Sequence, residues 1–247
     1  VSVTYLFGLR AEARARQSVA AGLLLAFDFD GTLAPIVPDR HRAAMRPETR
    51  RLFTLLCART ACAVVSGRTR RDVRRRLHPA RPLRVIGAHG ADGGPRWQPR
   101  GPSRPPAERI RAAIARLPGV AVERAGPSVA VHYRHSPHPL LARAAILDAV
   151  SSLGAGYRAL EGKRVVNVLP ADAPDKGGAL RGLLQATGRP GALFVGDDRT
   201  DEDAFDAVGE RGLAIRVGTS RGSRATYFIR SQDEVDRLLR LALEVAG

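Results

Sequence analysis

Two aspartates stand two residues apart in the string Phe27-Asp28-Phe29-Asp30-Gly31-Thr32, directly after an apolar run over residues 23–27. In extended backbone, residues i and i+2 point to one side, so the two carboxylates converge. Converging carboxylates repel unless a cation lies between them or one carries a proton. Both conditions serve phosphoryl transfer. One carboxylate can attack phosphorus as a nucleophile, and the other can handle protons. Gly31 and Thr32 would offer backbone N–H groups and a hydroxyl to phosphate oxygens. Standing alone, the string is equally well explained as a capping Asp-Gly turn.

It does not stand alone. Residues 197–203 hold five acids, Asp197, Asp198, Asp201, Glu202 and Asp203, after Gly196. Hard oxygen ligands of this kind suit Mg²⁺, which takes one or two carboxylates together with water and phosphate. Glu202 and Asp203 read instead as favourable charges in the first turn of a helix. Ser66 offers a hydroxyl after a third apolar run, and Gly67 lets phosphate approach closely. Lys176, at the start of a helical pattern, can neutralise a transferring phosphoryl group. It is one of two lysines, with Lys163, among 40 basic residues. Where a lysine stands in so arginine-rich a chain, the position calls for a compact ammonium rather than a planar fork.

Each cluster needs an element to aim it. Apolar runs at 23–27, 61–65, 83–86 and 192–195 lead into Asp28, Ser66-Gly67, Gly87-Ala88-His89-Gly90 and Gly196-Asp197. Runs of four or five apolar residues bounded by glycine read as buried parallel strands. Helical patterns at 47–56 (Leu52, Leu55, Leu56) and 175–186 (Leu180, Leu183, Leu184) lie between them. Strands alternating with helices imply an α/β fold with a doubly wound, Rossmann-like parallel sheet. Ligands bind such sheets beyond the carboxyl ends of the strands, which is where the polar clusters fall.

Residues 94–174 break this alternation. A Pro/Gly/Arg-rich segment at 95–106 reads as a linker. Next come a helix at 107–117, strands at 120–124 and 128–134, a helix at 140–153, and strands at 156–160 and 164–169. Helix-strand-strand, twice, builds a small sheet with helices on one face. The expected organisation is a catalytic core over residues 1–97 and 173–247, with an inserted α+β cap domain at 98–172. The tail returns to the core with strands at 213–217 and 226–229 and a helix at 232–245.

Composition limits the rest. A chain of 247 residues that is 44% hydrophobic can bury a core. No run approaches the ~18 apolar residues of a membrane span. At the start, an apolar stretch precedes Arg10, Arg14 and Arg16, the reverse of a secretory leader. Cys57 and Cys62 have neither metal-type spacing nor a disulfide framework, which fits the reducing cytoplasm. The charge of +16 raises polyanion or nucleic-acid binding as a rival function. The arginines are scattered along the whole chain, however, and only 5% of residues are aromatic, which leaves few stacking platforms.

Taken together and in this order, the motifs resemble the haloacid dehalogenase superfamily of phosphohydrolases, and in detail its trehalose-6-phosphate phosphatase branch. The resemblance rests on FDFDGTLAPIV (27–37), VSGR (65–68), GAHG (87–90), His132-Tyr133-Arg134, Gly162-Lys163, Asp175-Lys176-Gly177 and GDDRTDEDAF (196–205). It implies Asp28 as the nucleophile, forming an aspartyl-phosphate, and Asp30 as general acid and then base. Thr32, Ser66 and Lys176 would hold the phosphoryl group, with Gly31 and Gly67 beside them. Mg²⁺ would be bound by Asp28, the main-chain carbonyl of Asp30, and Asp197, supported by Asp198 and Asp201. Arg68 and His89 would lie near the substrate or serve the structure. In the cap, His132, Arg134, Glu161 and Lys163 would read the sugar. Alternation places Val166 and Val168 toward the cap helices, with Val165, Asn167 and Leu169 on the face that would look at the active site. The family has an acid where Asn167 stands and a base where Leu169 stands, so this face departs from its pattern. The implied reaction is hydrolysis of trehalose 6-phosphate by a monomer, or of another phosphorylated disaccharide or pseudo-disaccharide.

Overall fold

Aliphatic residues that alternate between two faces build the central sheet of the protein. In the computed structural model, which describes residues 3–94, 97, 98 and 105–247, the chain divides into two units. One comprises Val1–Pro95 and Asp175–Gly247, and the other is Arg96–Pro174. The linker expected at 95–106 falls mostly outside the described residues.

The strands of the first unit are β1 (Thr4–Tyr5), β2 (Leu24–Phe27), β3 (Cys62–Val65), β4 (Arg84–Ile86), β9 (Ala192–Gly196), β10 (Leu213–Val217) and β11 (Tyr227–Ile229). All pair in parallel, in the order β1-β11-β10-β9-β2-β3-β4. Leu25, Phe27, Val64, Leu193, Val195 and Ile215 point to one face. There they meet α1 (Leu9–Ala20), α2 (Pro47–Arg59), α3 (Arg70–Leu77) and α8 (Val235–Ala246). Leu24, Ala26, Ala63, Val65 and Phe194 point to the other, against α6 (Lys176–Thr187) and the short α7 (Glu202–Phe205). Because both faces are covered, the strands read as unbroken apolar runs rather than alternating ones.

Local signals set where the helices begin. Pro47 opens α2, where a missing N–H costs nothing. Asp175 caps α6 by accepting from the Gly178 N–H at 2.6 Å, which fixes Lys176 as its first residue. A Cβ on Gly177 would lie 2.2 Å from the Asp203 carbonyl oxygen, so only glycine lets α6 pass this close to α7.

The second unit holds α4 (Ala107–Ala113), β5 (Ala121–Ala125), β6 (Ser128–His132), α5 (Pro139–Ser151), β7 (Tyr157–Gly162) and β8 (Val165–Pro170). The strands form an antiparallel sheet in the order β5-β6-β8-β7. Val129, Val131, Val166 and Val168 pack with Ile110 and Ile146 of the two helices. Helix α4 is shorter than the pattern at 107–117 predicts: Ile114 and Leu117 join the same cluster through turns beyond its end.

Candidate active site

The nucleophile candidate stands at the centre of the strand ends. β2 lies between β3 and β9, and the Asp28 N–H continues the ladder by donating to the Val195 carbonyl at 2.9 Å. Asp28 therefore emerges flanked by the ends of the strands that lead to Ser66 and to Gly196-Asp197. Two glycines allow the approach. Gly31 has φ +84, and a Cβ there would lie 2.2 Å from an Asp197 carboxylate oxygen. A Cβ on Gly196 would lie 2.3 Å from the carboxylate carbon of Asp201. Side chains at either position would push the acidic groups out of place.

Lys176 links two of the three strand-end acids. Its Nζ lies 3.0 Å from Asp28 Oδ1 and 2.7 Å from Asp201 Oδ1, with the ammonium and both carboxylates buried. Asp201 uses its other oxygen to accept the N–H groups of Asp197 and Asp198, each at 3.0 Å. Carboxylate oxygens of Asp28, Asp197 and Asp201 lie within 4.8 Å of one another. Burial and the neighbouring Asp201 push the Asp197 carboxyl up to about 7. Burial also raises Asp28, against the pull of Lys176, and the charges of Asp201, Asp197 and Asp30 add to the rise. Burial alone would lower Lys176, but Asp201 and Asp28 hold it well above its usual value, so it stays an ammonium. One positive charge therefore faces three carboxyl groups in a buried site.

That imbalance is the fit test for a cation. Asp197 Oδ1 is buried and has no hydrogen-bond partner among the described residues. The donor set is all carboxylate oxygen, as a hard divalent cation requires. Asp201 commits its oxygens to Lys176 and two N–H groups, which leaves Asp28 and Asp197 as the better ligands. Asp198 and the Asp30 carboxylate stand outside the converging trio. Thr32 Oγ1, fully buried beside this loop, also lacks a partner among the described residues. An oxygen ligand such as phosphate would satisfy it. The Gly31 N–H, expected to face phosphate, instead donates to Ala34 at 2.7 Å and closes the turn. Glycine serves here by its small size.

Arg68 departs from a substrate-facing role. It is buried, and its guanidinium grips Asp30 with two bonds, Nε to Oδ2 at 2.6 Å and Nη2 to Oδ1 at 2.7 Å. It also donates to Asp72 at 2.9 Å and to the Arg40 carbonyl at 2.7 Å. Its guanidinium is thus committed to protein groups. Ser66 is buried, and its Oγ accepts the Arg68 N–H at 3.2 Å. His89 takes φ 56 and donates its N–H to the Ser66 carbonyl at 3.0 Å. A Cβ on Gly67 would lie 2.6 Å from the His89 ring, so Gly67 is needed where that imidazole packs.

The polar residues of the second unit are arranged differently. Glu161 is held by Arg143 through two bonds of 2.5 and 2.8 Å, and His132 Nε2 lies 3.1 Å from Glu123. Lys163 and Arg134 are exposed. Asn167 and Leu169 are buried on the strand face opposite Val166 and Val168, and the Asn167 amide approaches the Leu160 carbonyl at 3.5 Å.

Sequence reasoning missed the side chains that hold the acidic loop from behind. Arg216, at the end of β10, donates to the carbonyls of Asp197 and Asp198 and pairs with Glu202 at 2.7 Å. Gln232 donates to the Thr32 carbonyl at 3.0 Å and so steadies the loop after Asp28. Arg216 falls within the strand expected at 213–217, and Gln232 opens the helix expected at 232–245. In a chain with so many arginines, Arg216 carried no further signal.

The trehalose-phosphatase family profile matches residues 26–98 and 106–235. The trehalose-phosphate phosphatase of Mycobacterium tuberculosis is 33% identical over 229 residues, covering 86% of this chain and 58% of the relative. The chain thus spans somewhat over half the length of such relatives. A probable trehalose-phosphate phosphatase of Oryza sativa is 32% identical, covering 96% of this chain and 74% of the relative. Among solved structures, the C-terminal domain of C. albicans trehalose-6-phosphate phosphatase shares the fold with TM-score 0.79 at 19% identity, covering 98% of this chain and 99% of that one. With its family profile matched across both units and its strand-end acids gathered around one buried lysine, the chain belongs to the trehalose-phosphatase family.

Proposed function

We propose that the protein is a Mg²⁺-dependent phosphatase that hydrolyses trehalose 6-phosphate to trehalose and inorganic phosphate through a phosphoryl group on Asp28. The observation that carries the reading is the buried Lys176 ammonium bridging Asp28 and Asp201 beside Asp197. On this reading Asp28 is the nucleophile, Lys176 a fixed positive charge and Asp197 a cation-binding acid, gathered around one point. The family match and the identity to trehalose-phosphate phosphatases support the substrate.

An Asp28 carboxylate oxygen attacks phosphorus as the bond from phosphorus to the sugar oxygen breaks. Lys176 keeps Asp28 oriented and offsets charge on the phosphoryl oxygens. Asp30 gives its proton to the departing sugar oxygen. It then accepts a proton from the water that attacks the phosphorus of the aspartyl-phosphate, which frees Asp28. Arg68 holds the carboxyl group of Asp30, and a protonated Asp30 can keep one of the two bonds through its carbonyl oxygen. Ser66 and Thr32 donate hydroxyl hydrogens to the phosphoryl oxygens. Asp28 and Asp197 would hold Mg²⁺, which when bound would supply positive charge against the phosphoryl oxygens and the clustered carboxylates.

The test is phosphate release from a panel of sugar phosphates with Mg²⁺, repeated after chelation with EDTA. Trehalose 6-phosphate should be the best substrate in the panel, with release lost on chelation and restored by Mg²⁺. Preference for another phosphorylated sugar would overturn the substrate. Undiminished release in EDTA would overturn the metal site.

A further inference from the structure

The peptide that carries Asp197 is gripped from both sides. On one side, the Asp201 carboxylate accepts the N–H groups of residues 197 and 198. On the other, the Arg216 guanidinium donates to the carbonyls of the same two residues. A backbone held by its N–H and C=O groups together is restrained, which sets the Cα–Cβ direction of Asp197. Arg216 is fixed in turn. Its Nη1 lies 2.7 Å from Glu202 Oε1, with Arg216 and Glu202 side chains 13% and 18% exposed. Glu202 also accepts the Ser223 hydroxyl at 2.9 Å and the Arg224 N–H at 2.7 Å. A first-turn helix charge needs none of these bonds. The structure makes Glu202 the anchor of a chain running from the loop at 223–224 to the acidic loop.

We infer that Arg216, oriented by Glu202, is a positioning residue for the divalent-cation site. It presets the Asp197 carboxylate in the direction needed to bind metal. The inference rests on the metal reading of Asp28 and Asp197 given above. It follows from the geometry of the grip: groups that orient a ligand hold down the entropy and strain of forming the site. Arg216 is suited to this because a planar fork spreads its donors over two terminal nitrogens to reach two carbonyls and a carboxylate, whereas an ammonium donates from a single nitrogen.

The experiment measures metal binding directly, without turnover. Mn²⁺ binding to the full chain is followed by electron paramagnetic resonance, and Mg²⁺ binding by calorimetry, with thermal melts to confirm folding. Arg216→Met should weaken metal binding by roughly 10–100-fold. Glu202→Gln should weaken it less but in the same direction, and Arg216→Lys should recover part of the loss. Asp197→Asn is the control for the underlying site. Weak binding in Asp197→Asn, with folded Arg216→Met and Glu202→Gln both close to wild type, would overturn the inference and leave the metal site standing. Unchanged binding in Asp197→Asn would overturn the metal site and the inference with it. If Arg216→Met fails to fold, Glu202→Gln and Arg216→Lys decide. Wild-type affinity in both would show that the grip serves folding alone.

Discussion

The strand ends of the first unit and the small sheet of the second use ion pairs in opposite ways. Lys176, Asp28 and Asp201 are buried, with side chains at most 6% exposed. Arg143 and Glu161 make an equally short bidentate pair with side chains 44% and 30% exposed. A buried pair is indispensable once formed, because removing one member strands the other without water. An exposed pair is screened and nearly neutral to stability. The first unit therefore tolerates few changes at its strand ends, whereas the second can exchange polar residues at little cost to folding. The residues proposed for the reaction sit where substitution is costly, and Glu161, proposed to read the sugar, sits where it is cheap.

Substitutions that remove one partner from each kind of pair test this contrast. Lys176→Met leaves two buried carboxylates without their cation and should destabilise by about 3–5 kcal/mol. At roughly 2–4 °C per kcal/mol for a chain of this size, the loss should be plain in a thermal melt. A melting temperature equal to wild type would show that the buried trio is not held by charge.

Next in size is the effect on Asp30. Asp30→Asn should slow hydrolysis of trehalose 6-phosphate far more than that of an activated aryl phosphate, whose leaving group needs little protonation. Arg68→Gln should show the same preference in weaker form, since it loosens Asp30 without removing it. Comparison of kcat for the two substrates checks both variants. Equal losses on both substrates would argue against a proton-transfer role for Asp30.

A smaller effect concerns acid stability. Burial would raise the Asp72 carboxyl, but hydrogen bonds from Arg76 and Arg68 prevail and lower it to about 2. A group whose folded value is depressed adds stability above its unfolded value, near 3.8, and loses that contribution as pH falls toward 2. Asp72→Asn should therefore melt lower than wild type at neutral pH, with the gap closing between about pH 4 and pH 2. A gap independent of pH would contradict the linkage. The smallest effect belongs to the second unit. Glu161→Gln should cost at most about 1 kcal/mol and barely shift the melt. A large shift there would erase the contrast between the two regions.

The sequence made the central strands and the acidic clusters legible because both depend on local patterns. Runs such as Leu24–Phe27 are apolar throughout, and the acids follow them directly. Helix α1 was not legible: its buried face is Ala11, Ala15, Ser18 and Val19, too small to stand out among its arginines. Helix α3 hides in the same way, with only Val73 and Leu77 buried among five arginines. Partnerships were least legible of all. Nothing local distinguishes Arg68 holding Asp30, or Arg216 holding the Asp197 peptide, from arginines on the surface. For Leu169, burial bears on any redesign. A charge introduced there would enter a fully buried position and would need a partner to survive.

The most direct test of the account is whether a phosphoryl group passes through Asp28. Enzyme mixed with trehalose 6-phosphate and Mg²⁺, quenched rapidly in acid and digested, is examined by mass spectrometry for a phosphoryl group on the peptide containing Asp28. The account predicts the modification on Asp28 in the wild type during turnover, and neither modification nor turnover in Asp28→Asn. Sustained turnover by Asp28→Asn, or a phosphoryl group trapped on a different residue, would contradict it.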